Sequence, residues 1–153
     1  MSFTIRVMTA QDLDRVMAIA AAAPEAPQWT LREYQHAVLR LPNMVMRAGW
    51  VADRGAEVFG FAVASYLSKE SEAELESLVV DAQHRRQGAG GALLAACRAW
   101  AAAQGAMTLR LEVRASNDAA VHLYHRHGFS QAGVRRAYYT APIEDALLLR
   151  APC

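Results

Sequence analysis

The sequence predicts a mixed α/β fold, a sheet with helices on its faces, as a single domain spanning residues 1–153. Three observations lead there. Segments alternating with period two are interleaved with segments of helical period along the whole chain. A short apolar run, Leu78-Val79-Val80, passes through a glycine-rich turn into an Ala/Leu-rich run from about Gly90 to Gln104, giving a strand–loop–helix unit. With 153 residues, 54% of them hydrophobic, the chain is long and apolar enough to bury a core without staples.

Each element has its own signal. Ile5-Arg6-Val7 alternates as a first strand, and a first helix begins at Thr9-Ala10-Gln11-Asp12 and ends in the alanines before Pro24. Pro24-Glu25-Ala26-Pro27 breaks regular helix and forms a loop. Thr30-Leu31-Arg32-Glu33 reads as a capping box, so a second helix starts there and runs to about Leu41. Trp50-Val51-Ala52, a turn at Asp53-Arg54-Gly55 and Val58 to Val63 read as a hairpin, and Glu74 to Val80 as the strand that leads into the glycine loop. Gly105 stops the long helix, Thr108 to Val113 alternates as a strand, and Ser116-Asn117-Asp118 caps a short helix that runs through His127 to Gly128. Strands from about Ser130 to Tyr138 and Glu144 to Arg150 close the order. The segment from Leu75 to Val113 should form a parallel β–α–β crossover.

The totals exclude several function classes. A net charge of +1 offers no global field for nucleic acid or an anionic membrane, although fifteen of the sixteen basic residues are arginine. The apolar runs are too short for a membrane span and the N-terminus carries no signal-like stretch, so cytoplasmic residence is the expectation. Cys97 and Cys153 have no framework spacing, and Cys97 falls on one helical face with Leu93, Trp100 and Ala101, as a core thiol does. His122, His125 and His127 lack the spacing and the partners of a zinc site, so no metal is expected.

The most informative segment is Asp81 to Gly91, with its arginine pair and its three glycines between strand and helix. Glycine lets backbone approach a ligand, the first amides of a helix lack internal acceptors, and the helix dipole favours an anion. Together with Arg85 and Arg86 they suit a pyrophosphate. A Walker A loop is excluded because no lysine follows the glycines. A dinucleotide fingerprint would need glycine where Leu93 stands, although Glu112 lies about 20 residues on, where that motif wants an acid.

Arg85-x-x-Gly88-x-Gly90 after an apolar strand resembles the acyl-CoA loop of the GNAT superfamily of N-acetyltransferases. Leu111-Glu112-Val113-Arg114-Ala115-Ser116-Asn117, then Leu123-Tyr124 and Gly128-Phe129, resembles its RimI-type branch, the protein N-terminal acetyltransferases that act on ribosomal-protein alanine. Pro27-Gln28-Trp29-Thr30, Glu72-Ala73-Glu74-Leu75 and Arg135 to Tyr139 followed by Glu144-Asp145-Ala146 extend the likeness over nearly the whole chain. The resemblance implies a GNAT-type fold: a central mixed, mostly antiparallel sheet flanked by about four helices. It implies acetyl-CoA as co-substrate and a protein N-terminus, that of a ribosomal protein, as acceptor.

Matched position by position, it makes Glu112 the general base and Tyr124 the general acid. Leu78, Val79 and Val80 would hold the pantetheine arm through their backbone. Arg85, Arg86, Gln87, Gly88, Ala89, Gly90 and Gly91 would cradle the pyrophosphate, and Asn117 would touch the CoA. These residue types suit direct transfer, in which a carboxylate removes a proton from the attacking amine and a phenol protonates the departing thiolate. Ala82 stands where the branch usually has proline, the Thr140-Ala141-Pro142-Ile143 linker is shorter than in some relatives, and Glu76 competes for the base role. Other acceptors, a small amine or a lysine side chain, and a non-catalytic acyl-CoA sensor are the alternatives. From simple alternation, only one of Tyr138 and Tyr139 should face a substrate groove, and Trp29 reads as a core or loop anchor.

Overall fold

In a computed structural model, which describes residues 2–39, 45–67, 70–140 and 142–153, the chain forms a seven-stranded sheet. The strands are β1 (Thr4–Val7), β2 (Val45–Arg54), β3 (Glu57–Leu67), β4 (Glu72–Val80), β5 (Thr108–Arg114), β6 (Ser130–Thr140) and β7 (Ile143–Pro152). Their spatial order is β1-β2-β3-β4-β5-β7-β6. Every neighbouring pair is antiparallel except β4 and β5, joined in parallel through the helix between them. That pattern removes the dinucleotide-binding reading, which needs a parallel sheet. The helices are α1 (Leu13–Ala21), α2 (Leu31–Leu39), α3 (Ala89–Gln104) and α4 (Asp118–Arg126), and none of them is long and apolar enough to cross a membrane. The expected extension of the second helix to Leu41 lies outside the described residues.

The sheet separates two cores. On one face α1 and α2 bury Leu13, Val16, Ile19, Tyr34 and Ala37 against Val51, Phe61, Val63 and Val79. On the other, α3 buries Leu93, Leu94, Cys97 and Ala101 against Phe59, Ala62, Leu75, Leu109 and Leu111. Strand β3 is covered on both sides, so it reads as a continuous apolar run and not as an alternation. Leu93 is fully buried, and truncation to alanine there should cost about 2–5 kcal/mol.

Two bulges matter for function. Ser77 pairs with Val63 and Leu75 with Ala64, which leaves Glu76 as an extra residue on β4. The slip reverses the strand's faces. Ala73 and Leu75 point to the α3 core, whereas Val79 points to the α1–α2 core and Leu78 and Val80 pack towards α3. The second irregularity lies in β6 between Arg135 and Tyr139, where Ala137 takes a left-handed φ of 50° and donates its amide to Asp145 at 2.8 Å.

Candidate functional site

Strands β4 and β5 pair only at Glu72↔Thr108, Ala73↔Leu109 and Glu74↔Arg110, yet both strands continue well past that point. The edge of β4 from Leu75 onward therefore has no strand beside it. A strand edge without a partner presents alternate N–H and C=O groups to whatever lies next to it. A cleft of about 1450 Å³ opens there, lined by Leu75 to Val80 on one side and Glu112 to Arg114 on the other. Leu78, Val79 and Val80 thus offer backbone to an extended ligand, though the Val80 carbonyl already accepts from the Arg85 guanidinium at 3.2 Å.

At one end the cleft meets the glycine loop. Gly88 caps α3 with φ of 88°, a left-handed value that glycine adopts without strain, and Arg86 before it is also left-handed at 66°. The amides that open α3 have no acceptor in the preceding turn, and no acidic residue occupies its first turn. Arg85, Arg86, Gly88, Ala89, Gly90 and Gly91 all line the cleft. Gln87 does not: its side-chain carbonyl accepts a hydrogen bond from Arg54, which turns it away from the proposed cradle. Gly90 and Gly91 are needed for packing as well. A Cβ on Gly90 would stand 3.1 Å from Leu123, and one on Gly91 would stand 2.7 Å from the His127 ring.

Glu112 and Tyr124 face the same cleft from different elements. Leu109, Leu111 and Val113 are buried on one face of β5, which leaves Glu112 on the opposite, cleft face. Its carboxylate lies 3.1 Å from the Arg135 guanidinium of β6. Tyr124 is buried against Phe129, and burial raises its phenol above the ordinary tyrosine range, with Cys97 and Tyr139 adding to the effect. It therefore stays protonated at neutral pH. Asn117 also lines the cleft, but its side-chain carbonyl accepts from the Ala120 amide and caps α4, so only the remainder of the amide is open to a ligand.

Glu76, the competing base, is held by three hydrogen bonds from Arg47 at 2.9, 3.2 and 3.3 Å. Glu74 pairs with Arg110 at 3.3 Å, and burial pushes its carboxyl upward against that arginine. Cys97 is fully buried and its thiol is pushed up by desolvation, so it serves the core. Among the described residues no group of three His, Cys, Asp or Glu side chains is placed to hold a metal.

Sequence reasoning missed several walls of this cleft. Both Tyr138 and Tyr139 line it, because the β6 bulge breaks the alternation that would have turned one away. The Arg114 guanidinium lies 4.1 Å from the Tyr139 ring centroid, and Arg135 lies 5.4 Å from that of Tyr138. Trp29 is both anchor and wall: it packs on Tyr34 at 5.2 Å and lines the cleft. Ser77 Oγ, His84 Nδ1 and one Arg114 nitrogen are buried beside it without hydrogen-bond partners among the described residues. His122 and His127 line it too.

A glycine loop with open helix amides, a strand edge without a partner, a carboxylate and a phenol thus line one cleft, an arrangement that suits group transfer from a long, partly anionic donor. Residues 11–129 match the model of the Acetyltransferase (GNAT) family, and the chain belongs to that family. The ribosomal protein bS18-alanine N-acetyltransferase of Escherichia coli K12 is 46% identical over 83 residues, 53% of this chain and 56% of that protein. The aligned segment thus spans little more than half of that relative. The enzyme of the same name from Salmonella typhimurium LT2 is 33% identical over 151 residues, 97% of each chain. The crystal structure of the E. coli ribosomal-protein-S18-alanine N-acetyltransferase superposes with a TM-score of 0.80 at 31% identity, covering 99% of this chain and 94% of that one.

Proposed function

We propose that this GNAT protein transfers the acetyl group of acetyl-CoA directly to the α-amine at a protein N-terminus, and that the acceptor is a ribosomal protein beginning with alanine. One observation carries the chemistry: Glu112 and Tyr124 line a single cleft where β4 and β5 part, in line with the glycine loop. The alanine and ribosomal parts rest on the names of the two bacterial relatives and their matching fold.

In this reading the pyrophosphate sits on the amides opening α3 beside Arg85 and Arg86, and the pantetheine arm lies along the free edge of β4. The amine enters past Trp29, Tyr138 and Tyr139. Its nitrogen bonds to the thioester carbon while Glu112, directly or through a water, takes the proton it sheds. The carbon–sulfur bond then breaks, and the Tyr124 hydroxyl supplies the proton that the sulfur takes up. No enzyme nucleophile is required, consistent with a buried Cys97.

The test is to incubate purified protein with acetyl-CoA and a panel of acceptors: peptides with N-terminal alanine, serine or leucine, N-blocked lysine peptides, and small amines including spermidine. Acetylation confined to free N-termini, with alanine preferred, is the expected result. Preference for a lysine peptide or a small amine would overturn the acceptor assignment. Acetyl-CoA binding without transfer to any acceptor would favour a sensor.

A further inference from the structure

We infer that Arg114 is a specificity residue for the acceptor: its guanidinium donates a hydrogen bond to the first peptide carbonyl, and so distinguishes an α-amine from other amines. The inference rests on the acceptor reading proposed above. Leu109, Leu111 and Val113 turn into the α3 core, so Glu112 and Arg114 share the opposite face of β5. Trp29 packs against the α1–α2 core on that same side of the sheet, whereas the glycine loop opens α3 on the other. Arg114 therefore lines the cleft together with the base and the entry.

The Arg114 guanidinium is held in place, yet its donors are not all used. It lies 4.1 Å from the Tyr139 ring centroid, a contact that engages the charge and gives the N–H groups no acceptor. One of its nitrogens is buried with no hydrogen-bond partner among the described residues. The carboxylates around it are engaged elsewhere. Glu112 pairs with Arg135 at 3.1 Å, Glu144 accepts from the Ser116 amide at 2.9 Å and hydroxyl at 2.6 Å, and Asp145 accepts from the Ala137 amide at 2.8 Å. Arg47, another arginine of the cleft wall, is bound to Glu76. A buried donor without an acceptor is costly, and an incoming ligand that carries an acceptor relieves that cost. Every protein N-terminus carries one, a carbonyl oxygen roughly 3 Å from the α-nitrogen. Arg114 stands two residues beyond the base on one strand face, about 7 Å along β5, within reach of its long side chain. With the amine at Glu112, that carbonyl meets the guanidinium. A lysine ε-amine is separated from its backbone by four methylenes, and a simple amine has no carbonyl, so neither makes both contacts at that spacing.

The test measures kcat/KM at saturating acetyl-CoA for the wild type, Arg114→Met, Arg114→Lys and the control Arg136→Gln, an exposed position on β6 that does not line the cleft. The acceptors are an N-terminal alanine peptide and the same peptide with its first amide replaced by a trans-alkene, which removes the carbonyl. Arg114→Met should lower kcat/KM for the alanine peptide about 10- to 100-fold, the range for a hydrogen bond from a charged donor, and should leave the slower alkene acceptor within about threefold of wild type. The altered basicity of the alkene's amine is common to every enzyme form and cancels in that comparison. Arg114→Lys, which keeps a cationic donor, should recover part of the loss, and Arg136→Gln should match the wild type. Acetyl-CoA affinity in calorimetry and the melting temperature should hold at their wild-type values; Arg114→Gln supplies the same comparison if Arg114→Met fails to fold. An unchanged rate on the alanine peptide, an equal loss on both acceptors, or a parallel loss of acetyl-CoA affinity would each overturn the assignment. Preference of the wild type for a lysine peptide over the alanine peptide would instead defeat the acceptor reading itself.

Discussion

Replacing the two cleft glutamates one at a time should separate chemistry from scaffolding. The Glu112 carboxylate makes a single 3.1 Å contact with Arg135, whose side chain is half exposed. An ion pair of that kind contributes up to about 1 kcal/mol, so Glu112→Gln should barely move the melting temperature. As general base, however, Glu112 should account for about 10²–10⁴ in rate, or about 2.7–5.4 kcal/mol of barrier. Glu76 has the reverse profile. Its side chain is 10% exposed and accepts three bonds from Arg47, which in turn stands 6.0 Å from the Trp29 ring. Neutralising it leaves that guanidinium uncompensated at a cost of about 2 kcal/mol, which for a domain of this size lowers Tm by about 4–8 °C. The assay pairs initial rates on an N-terminal alanine peptide with thermal melts of the same preparations. Glu112→Gln should lose turnover and keep its Tm and its acetyl-CoA affinity; Glu76→Gln should keep kcat within about tenfold and lose Tm. The Glu112→Gln deficit should also shrink above pH ~8, where an α-amine is already neutral. A severe kcat loss in Glu76→Gln, or near-normal turnover by Glu112→Gln at pH 7, refutes the base assignment.

Three further outcomes follow from the same geometry. Tyr124→Phe should lower kcat by about 10²–10⁴ with little change in acetyl-CoA affinity; because burial holds the phenol above its usual range, wild-type kcat should show no alkaline fall up to pH 10, and a fall centred near pH 8 would count against Tyr124 as the acid. Gly88→Asp should weaken CoA at least tenfold in calorimetry, since it combines a charge facing the pyrophosphate with a φ of 88°, whereas Gly88→Asn, neutral and more tolerant of that φ, should weaken it less; equal affinities for wild type and Gly88→Asp would remove the loop from the site. Asp12 accepts from the Arg6 guanidinium at 2.8 and 2.9 Å, and that partner holds its carboxyl below the usual range. Its contribution to stability is therefore present above about pH 4 and lost as pH falls through the lower folded value, so melts from pH 7 to pH 2 should fall more steeply for wild type than for Asp12→Asn; parallel curves would show the pair to be inert.

Elements marked by period and punctuation were legible in the sequence. The Asp81–Gly91 loop, Gly105 after α3 and Asn117 before α4 each mark a boundary through backbone chemistry that a few residues determine. What the sequence concealed depends on register. Glu76 becomes the extra residue of a bulge only because Ser77 pairs with Val63 and Leu75 with Ala64, and no local feature of Ala73–Val79 announces that slip. The same is true of Tyr138 and Tyr139, whose joint presence in the cleft needs the left-handed Ala137, a conformation that an alanine does not advertise. Arg47 and Arg135 meet Glu76 and Glu112 across the sheet, 29 and 23 residues away in sequence, so these pairs emerge only with the strand order.

Those arginine partners bear on which amine the cleft suits. Glu74, Glu76 and Glu112 would form an attractive trap for a polycation if they were unpaired, but each has a guanidinium within hydrogen-bond or ion-pair distance: Arg110, Arg47 and Arg135. A cleft with matched charges gives little field to recruit a spermidine-like acceptor. An α-amine needs no such field. With a pKa of ~7.7–8.0, about a third of it is neutral at pH 7.5, against roughly one part in a thousand for a lysine near ~10.4. A carboxylate that takes up one proton during attack suffices for the first, whereas the second must lose a proton before it can attack at all. The proposed acceptor can therefore be checked through the arginine itself. Arg135→Met should leave Glu112 without its cation and make the cleft more negative, raising the slow rate on cationic lysine peptides relative to the rate on alanine N-termini in a competition assay. If the ratio stays fixed while both rates fall together, Arg135 is holding the β6–β7 hairpin in place, and the preference for α-amines must come from Arg114 and the shape of the entry past Trp29 and Tyr139.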